Sequence, residues 1–141
     1  MSTRITISLP TPSDFTLLRN MVGWGKVTDD QAVAALKHSL SGACLYKADE
    51  LIGMARVVGD GVFNVYIQDV IVKPYCQKQG LGRMMLKALI AHMAHTLPPS
   101  CTVGLMAAAG QDGFYTAFGF KTRPRNGFGA GMSAQLKDLS P

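Results

Sequence analysis

The chain has little of what marks several protein classes. Its three cysteines, Cys44, Cys76 and Cys101, are an odd number, form no C-x-x-C pair and have no histidine at finger-like spacing. Neither a disulfide framework nor a zinc site is expected, and no metal is called for. Charged residues make up only 16%, and the basic ones never gather into a run of five, so no nucleic-acid partner is expected. No apolar stretch approaches the ~20 residues of a membrane span. Met1 to Pro10 alternates polar and apolar residues without the hydrophobic run of a signal peptide. These features lead to the expectation of a cytoplasmic protein without membrane association. Internal repeats and low-complexity tracts are also missing.

What is present is 141 residues with 48% apolar content, enough for one domain over residues 1–141 with an ordinary core. The net charge of +5 is spread along the chain. Lys73, Lys78, Arg83 and Lys87, however, flank one glycine turn, which suits a local anion site better than a broad basic face.

Periodicity predicts the order of elements. Arg4 to Leu9 reads as a strand, followed by a helix capped at Ser13 or Asp14 and running to about Val22. Thr28-Asp29-Asp30 caps a second helix carrying Ala32, Val33, Leu36 and Leu40. Ala43 to Lys47, Leu51 to Val58 and Val62 to Val72 read as strands, the last two joined by an Asp60-Gly61 hairpin. A helix from near Gly80 to about His95 shows Leu86, Leu89, Ile90 and Met93 on one stripe. Cys101 to Met106 is a short strand and Asp112 to Ala117 a short helix, with Gly119 to Thr122 and Met132 to Leu136 as closing strands. The result is an α/β chain with a mixed sheet and helices on both faces.

The segment Gln77-Lys78-Gln79-Gly80-Leu81-Gly82 joins the long strand to the amphipathic helix. A glycine turn there aims several backbone N–H groups and the positive end of the helix dipole at one point, which makes a pyrophosphate site. The Walker pattern fails because Arg83-Met84 follows Gly82. The dinucleotide pattern fails because Met85 stands where its third glycine belongs, and no acidic residue occupies Ser100-Cys101-Thr102.

A third pattern, Q/R-x-x-G-x-G/A, fits. Asp69 to Leu86, with the strand, Pro74 and the turn in register, resembles the central motif of the GNAT N-acetyltransferase superfamily. Gly113-Phe-Tyr-Thr-Ala-Phe-Gly-Phe resembles its second motif. Together they cover roughly residues 42 to 136. Gly53 to Gly61 and Val22-Gly-Trp are most similar to the arylalkylamine (serotonin-type) branch.

The resemblance implies a mostly antiparallel central sheet splayed in the middle, with acetyl-coenzyme A as co-substrate. It assigns cofactor contacts to Val70, Ile71 and Val72 on the strand and to Gln77, Lys78, Gln79, Gly80, Leu81, Gly82 and Arg83 in the turn. The Val70 N–H would steady the oxyanion, and Tyr115 would be the general acid that protonates the leaving thiolate. Trp24 and Tyr66 would line an amine pocket. The implied reaction is acetyl transfer to a primary amine of a small molecule by direct attack in a ternary complex. A protein lysine or amino terminus as acceptor, and a non-catalytic coenzyme A-sensing module, stand as alternatives. A homodimer is compatible with the family.

Asp69 has two readings. A carboxylate in the apolar run from Val65 to Val72 is costly unless paired or used. It either takes a proton from the acceptor ammonium, directly or through water, or it is structural, paired with Arg56 or capping a neighbouring strand's backbone. Animal enzymes of the arylalkylamine branch are described with histidine bases, whereas His38, His92 and His95 here lie on helical segments away from both motifs.

Overall fold

The computed structural model describes residues 2–141. They divide into two compact units, one ending at Leu105 and one spanning Met106–Pro141.

The first unit holds a five-stranded sheet in the order β1-β2-β3-β4-β5: β1 (Thr3–Thr6), β2 (Ser41–Lys47), β3 (Glu50–Gly59), β4 (Asn64–Val72) and β5 (Thr102–Gly104). The first three pairings are antiparallel and β4 with β5 is parallel. Helices α1 (Pro12–Met21) and α2 (Asp29–Lys37) send Phe15, Leu18, Ala32 and Leu36 into a buried cluster with Cys44, Met54 and Ile71. Side chains alternate across a strand, so Ala43, Leu45 and Ala55 belong to the opposite face, and α3 (Leu81–Thr96) packs on β2, β3 and β4. The expected mixed sheet with helices on both faces is present.

Local chemistry explains the boundaries. Thr11, rather than Ser13 or Asp14, caps α1: its hydroxyl accepts the Asp14 N–H at 3.2 Å, with Pro12 in the first turn. Thr28 and Gln31 form a reciprocal capping box on α2. That helix ends at Lys37, so Leu40 lies outside it and is exposed. β4 begins at Asn64 rather than Val62 because Asp60 Oδ1 accepts the N–H groups of Val62, Phe63 and Asn64 at 2.7, 2.8 and 3.1 Å. These bonds hold the Asp60 carboxyl below its usual range and divert two residues from the ladder into the turn. The buried stripe of α3 is Met85, Leu86, Leu89 and Met93, with Met85 taking the place expected of Ile90.

The second unit contains α4 (Asp112–Thr116) and a single 3-10 turn, Leu136–Asp138. The two closing strands expected at Gly119 to Thr122 and Met132 to Leu136 do not form. Pro124, Gly127, Gly129 and Gly131 interrupt the segment. Met132 and Leu136 are 90% and 85% exposed, so no apolar face drives them into a ladder. Only an isolated bridge between Arg125 and Phe128 remains.

Candidate active site

The site is built on the second half of β4. β4 and β3 run in register up to Gln68 against Arg56 and resume at Ile71 against Met54. In between, Asp69 and Val70 stand opposite Ala55 alone, the arithmetic of a β-bulge. Asp69 adopts φ 56°, a left-handed conformation unusual for a non-glycine residue.

On its other edge β4 pairs with β5 only at Asn64, Val65 and Tyr66. Beyond Tyr66 that edge has no strand beside it among the described residues, which is the expected splay. Lys73 N–H donates to Ile52 O on β3 at 2.8 Å. Since alternate residues address opposite edges, the N–H groups of Val70 and Val72 face the open side. The Val72 carbonyl accepts from the Gln77 side-chain amide at 2.8 Å. This edge offers a row of backbone donors and acceptors to an extended ligand.

The strand runs through a 3-10 turn, Pro74–Cys76, into the glycine turn. Lys78 at φ 62° and Gly80 at φ 76° are both left-handed. Gly80 is the N-cap of α3 and supplies no side-chain cap bond. The first backbone bond closing the helix runs from Met84 N–H to Gly80 O at 3.1 Å. The N–H groups of Leu81, Gly82 and Arg83 precede it and point out of the helix end, toward which the dipole draws negative charge. A Cβ built on Gly80 would meet nothing within 4 Å, so the glycine is required by its backbone angle and not by crowding. Gln77, Lys78, Gln79 and Arg83 are exposed around the turn. These features fit a diphosphate followed by an extended amide-bearing arm, as in coenzyme A.

Not every expected residue contributes. Lys73, counted among the basic residues of the turn, is buried with its ammonium 3.6 Å from Glu50. It serves an ion pair that Tyr75 shares through its hydroxyl, 3.2 Å from Glu50 Oε2. Of the two readings of Asp69, the structure has the paired geometry. The residue is 2% exposed. Oδ2 accepts from Arg56 Nε at 2.9 Å, and Oδ1 accepts from Arg19 Nη1. The Asp69 side chain is fully buried, so neither oxygen is exposed to a substrate ammonium.

Trp24 lies in the loop between α1 and α2 and is 39% exposed. Its carbonyl accepts from Arg19 Nη2 at 3.1 Å, and its ring centroid is 5.9 Å from the same guanidinium. Tyr66 is half-buried on β4 beside Gly104. In the second unit Tyr115 sits half-buried on α4, edge-on to Phe114 at 5.0 Å and to Phe120 at 6.1 Å. Burial pushes its phenol above the usual value, so the hydroxyl stays protonated at neutral pH.

The acetyltransferase (GNAT) domain family matches residues 22–135 of this sequence. The chain belongs to this family. It is 34% identical over 107 residues to serotonin N-acetyltransferase 2, chloroplastic, of Oryza sativa subsp. japonica, covering 73% of this chain and 52% of that protein. It is also 34% identical over 122 residues to a histone acetyltransferase of Glycine max, covering 79% and 52%. The chain thus spans about half the length of these curated relatives. Among solved structures, a probable acetyltransferase of unknown function from meticillin-resistant Staphylococcus aureus superposes with a TM-score of 0.83 at 30% identity, covering 96% of this chain and all of that one. Arabidopsis thaliana Naa50, solved with a coenzyme A-containing bisubstrate analogue, shares the fold with a TM-score of 0.70 at 17% identity, covering 88% and 86%.

In this GNAT chain the residue missed by the sequence reading is Arg19. A signal for it existed. Phe15, Leu18, Arg19 and Val22 fall at i, i+3, i+4 and i+7, so a charge occupies the core-facing stripe of α1. Such a charge requires a buried partner.

Proposed function

We propose that this chain moves the acetyl group of acetyl-coenzyme A to the primary amine of a small molecule, by direct attack in a ternary complex. On this reading both units belong to one catalytic domain, as the span of the family match across them supports. The observation that carries the proposal is the open edge of β4 running into a left-handed turn at the N-terminus of α3.

Backbone groups of Val70 and Val72 pair with the amides of the pantetheine arm. The N–H groups of the turn and of the first turn of α3 take the pyrophosphate. The Val70 N–H donates to the carbonyl oxygen as it gains negative charge, an interaction stronger in the transition state than before it. The amine nitrogen forms the new C–N bond while the C–S bond breaks. On this reading Tyr115 is the donor of a proton to the departing thiolate, a transfer that is uphill for a phenol raised above its usual value. The phenolate then takes a proton back from water to complete the cycle. The amine sheds its proton to water, since the Asp69 carboxylate is buried between two guanidiniums. Trp24 and Tyr66 offer aromatic surface to an arylalkyl acceptor, in keeping with the rice relative named for serotonin. The Glycine max relative, named a histone acetyltransferase, favours a second reading in which the acceptor is a protein lysine.

Thiol release from acetyl-coenzyme A, followed with an arylalkylamine, a polyamine, an amino acid and a lysine peptide, separates these readings. The small-molecule proposal expects the highest kcat/KM with the arylalkylamine. A lysine peptide that outcompetes it would move the assignment to protein substrates. Tight coenzyme A binding without turnover of any acceptor would leave a sensing module.

A further inference from the structure

The buried carboxylate of Asp69 gathers more of the first unit than an ion pair needs. Arg19 approaches it from α1 and Arg56 from β3. Each guanidinium is also anchored elsewhere. Arg19 Nη2 holds the Trp24 carbonyl at 3.1 Å. Arg56 Nη1 donates to Ser39 Oγ at 3.2 Å, and that hydroxyl donates to Ala35 O on α2 at 2.7 Å. Both guanidiniums lie over the Phe15 ring, 5.7 and 5.6 Å from its centroid. Arg19 Nε, meanwhile, is buried with no hydrogen-bond partner.

An arrangement of this kind is a poor device for stability, because apolar residues of similar volume commonly do as well without the desolvation cost. It is a good device for fixing a geometry, since a guanidinium fork has a rigid direction. The geometry fixed here is the left-handed bulge at Asp69, one residue before the N–H that faces the open edge.

We propose that the Arg19–Asp69–Arg56 triad is the positioning device of the acetyl-transfer site. It clamps Asp69 in its left-handed conformation, so that Val70 N–H is aimed at the acetyl oxygen. Through Arg19 it ties that aim to the Trp24 loop. The inference rests on the acetyl-transfer reading above. It makes Asp69 and the two arginines positioning residues that never touch the amine.

The test compares Asp69→Asn, Asp69→Gly and Asp69→Ala. Asparagine and glycine tolerate the left-handed conformation and alanine does not. If the triad positions the bulge, kcat falls least for asparagine, about tenfold or less, because its amide oxygen still accepts from a guanidinium. Glycine permits the conformation without the clamp and falls further, and a glycine variant as active as the asparagine one would overturn the proposal. Alanine loses about a hundredfold, the scale of one misaimed oxyanion donor. The KM for acetyl-coenzyme A stays within about twofold, because the turn is untouched. The acidic limb of the pH–rate profile persists in all three. If Asp69 were the proton acceptor, the three variants would fall equally and that limb would vanish, which would overturn the proposal.

A second measurement does not depend on finding an acceptor. In the ¹⁵N-labelled protein, the Val70 amide resonance shifts on adding acetyl-coenzyme A, and Asp69→Ala loses that shift while the Gly80 resonance still moves. An unchanged Val70 response in Asp69→Ala refutes the positioning role, whether or not any amine is turned over. Should Asp69→Ala fail to fold, Arg19→Lys keeps the charge and removes the fork. Its Val70 response is expected to shrink, and a wild-type response in Arg19→Lys refutes the proposal equally.

Discussion

Gly80→Ala isolates what the glycine turn contributes. Gly80 sits at φ 76°, and a Cβ built there would meet no atom within 4 Å. Steric exclusion is therefore not the penalty. What remains is the cost of holding an L-residue left-handed, about 1–2 kcal/mol. That energy appears in one of two places. If the turn keeps its shape, the folded state loses it, and the melting temperature falls by about 3–7 °C for a chain of this size. If the turn relaxes, the N–H groups at the start of α3 lose their common aim, and the affinity for acetyl-coenzyme A falls by roughly 5- to 30-fold. Gly80→Asn recovers most of either loss, because asparagine visits this region more readily. The assay is calorimetric titration with acetyl-coenzyme A beside a thermal melt. A Gly80→Ala protein with both melting temperature and affinity unchanged would refute the left-handed turn as the anion cradle.

Tyr115→Phe keeps the ring contacts and removes the proton donor. Its kcat is expected to fall about 10- to 1000-fold with acetyl-coenzyme A affinity nearly unchanged, and equal turnover under chemistry-limited conditions would strip Tyr115 of its role. The same burial has a consequence for stability. The folded phenol has its pKa raised above the unfolded value near 10, so its contribution is fully present below pH ~10 and is lost as pH rises through the folded value. Alkaline unfolding of Tyr115→Phe should then begin at higher pH than in the wild type. Leu89→Ala, at a fully buried position of α3, should cost about 2–5 kcal/mol in chemical denaturation. A loss under 1 kcal/mol would mean that this stripe does not face the sheet. Among the thiols, burial pushes Cys44 up and away from reactivity, Cys76 is buried, and Cys101 is half-buried. An aromatic disulfide reagent should label Cys101 first and the other two only on unfolding.

The parts of the site that were legible in the sequence are those whose chemistry is local. Gly80 and Gly82 after a strand, and Leu86, Leu89 and Met93 at helical spacing, disclose a turn and a helix with no knowledge of the rest of the chain. The Thr28 capping box and the Asp60-Gly61 hairpin are similarly short-range. Asp69 was legible only as a question. A charge in an apolar strand signals a cost, but the partners that settle it lie on α1, fifty residues before it, and on β3. Arg19 carries a local signal, a charge in step with Phe15, Leu18 and Val22, but the carboxylate it answers lies fifty residues further on. The closing strands expected at Gly119 to Thr122 and Met132 to Leu136 were not decidable locally, because ladder formation depends on a partner and on the glycines and Pro124 around them. The start of β4 moved for a similar reason. A side-chain oxygen of Asp60 outcompeted the neighbouring strand for two backbone donors.

A crystal structure with acetyl-coenzyme A tests the central claim most directly. The pantetheine arm should lie along the open edge of β4, with its amides bonded to the backbone of Val70 and Val72. The pyrophosphate should rest on the N–H groups from Gln79 to Arg83, and the acetyl oxygen should face the Val70 N–H. Acetyl-coenzyme A bound on any other surface, with the β4 edge left free, would contradict the account.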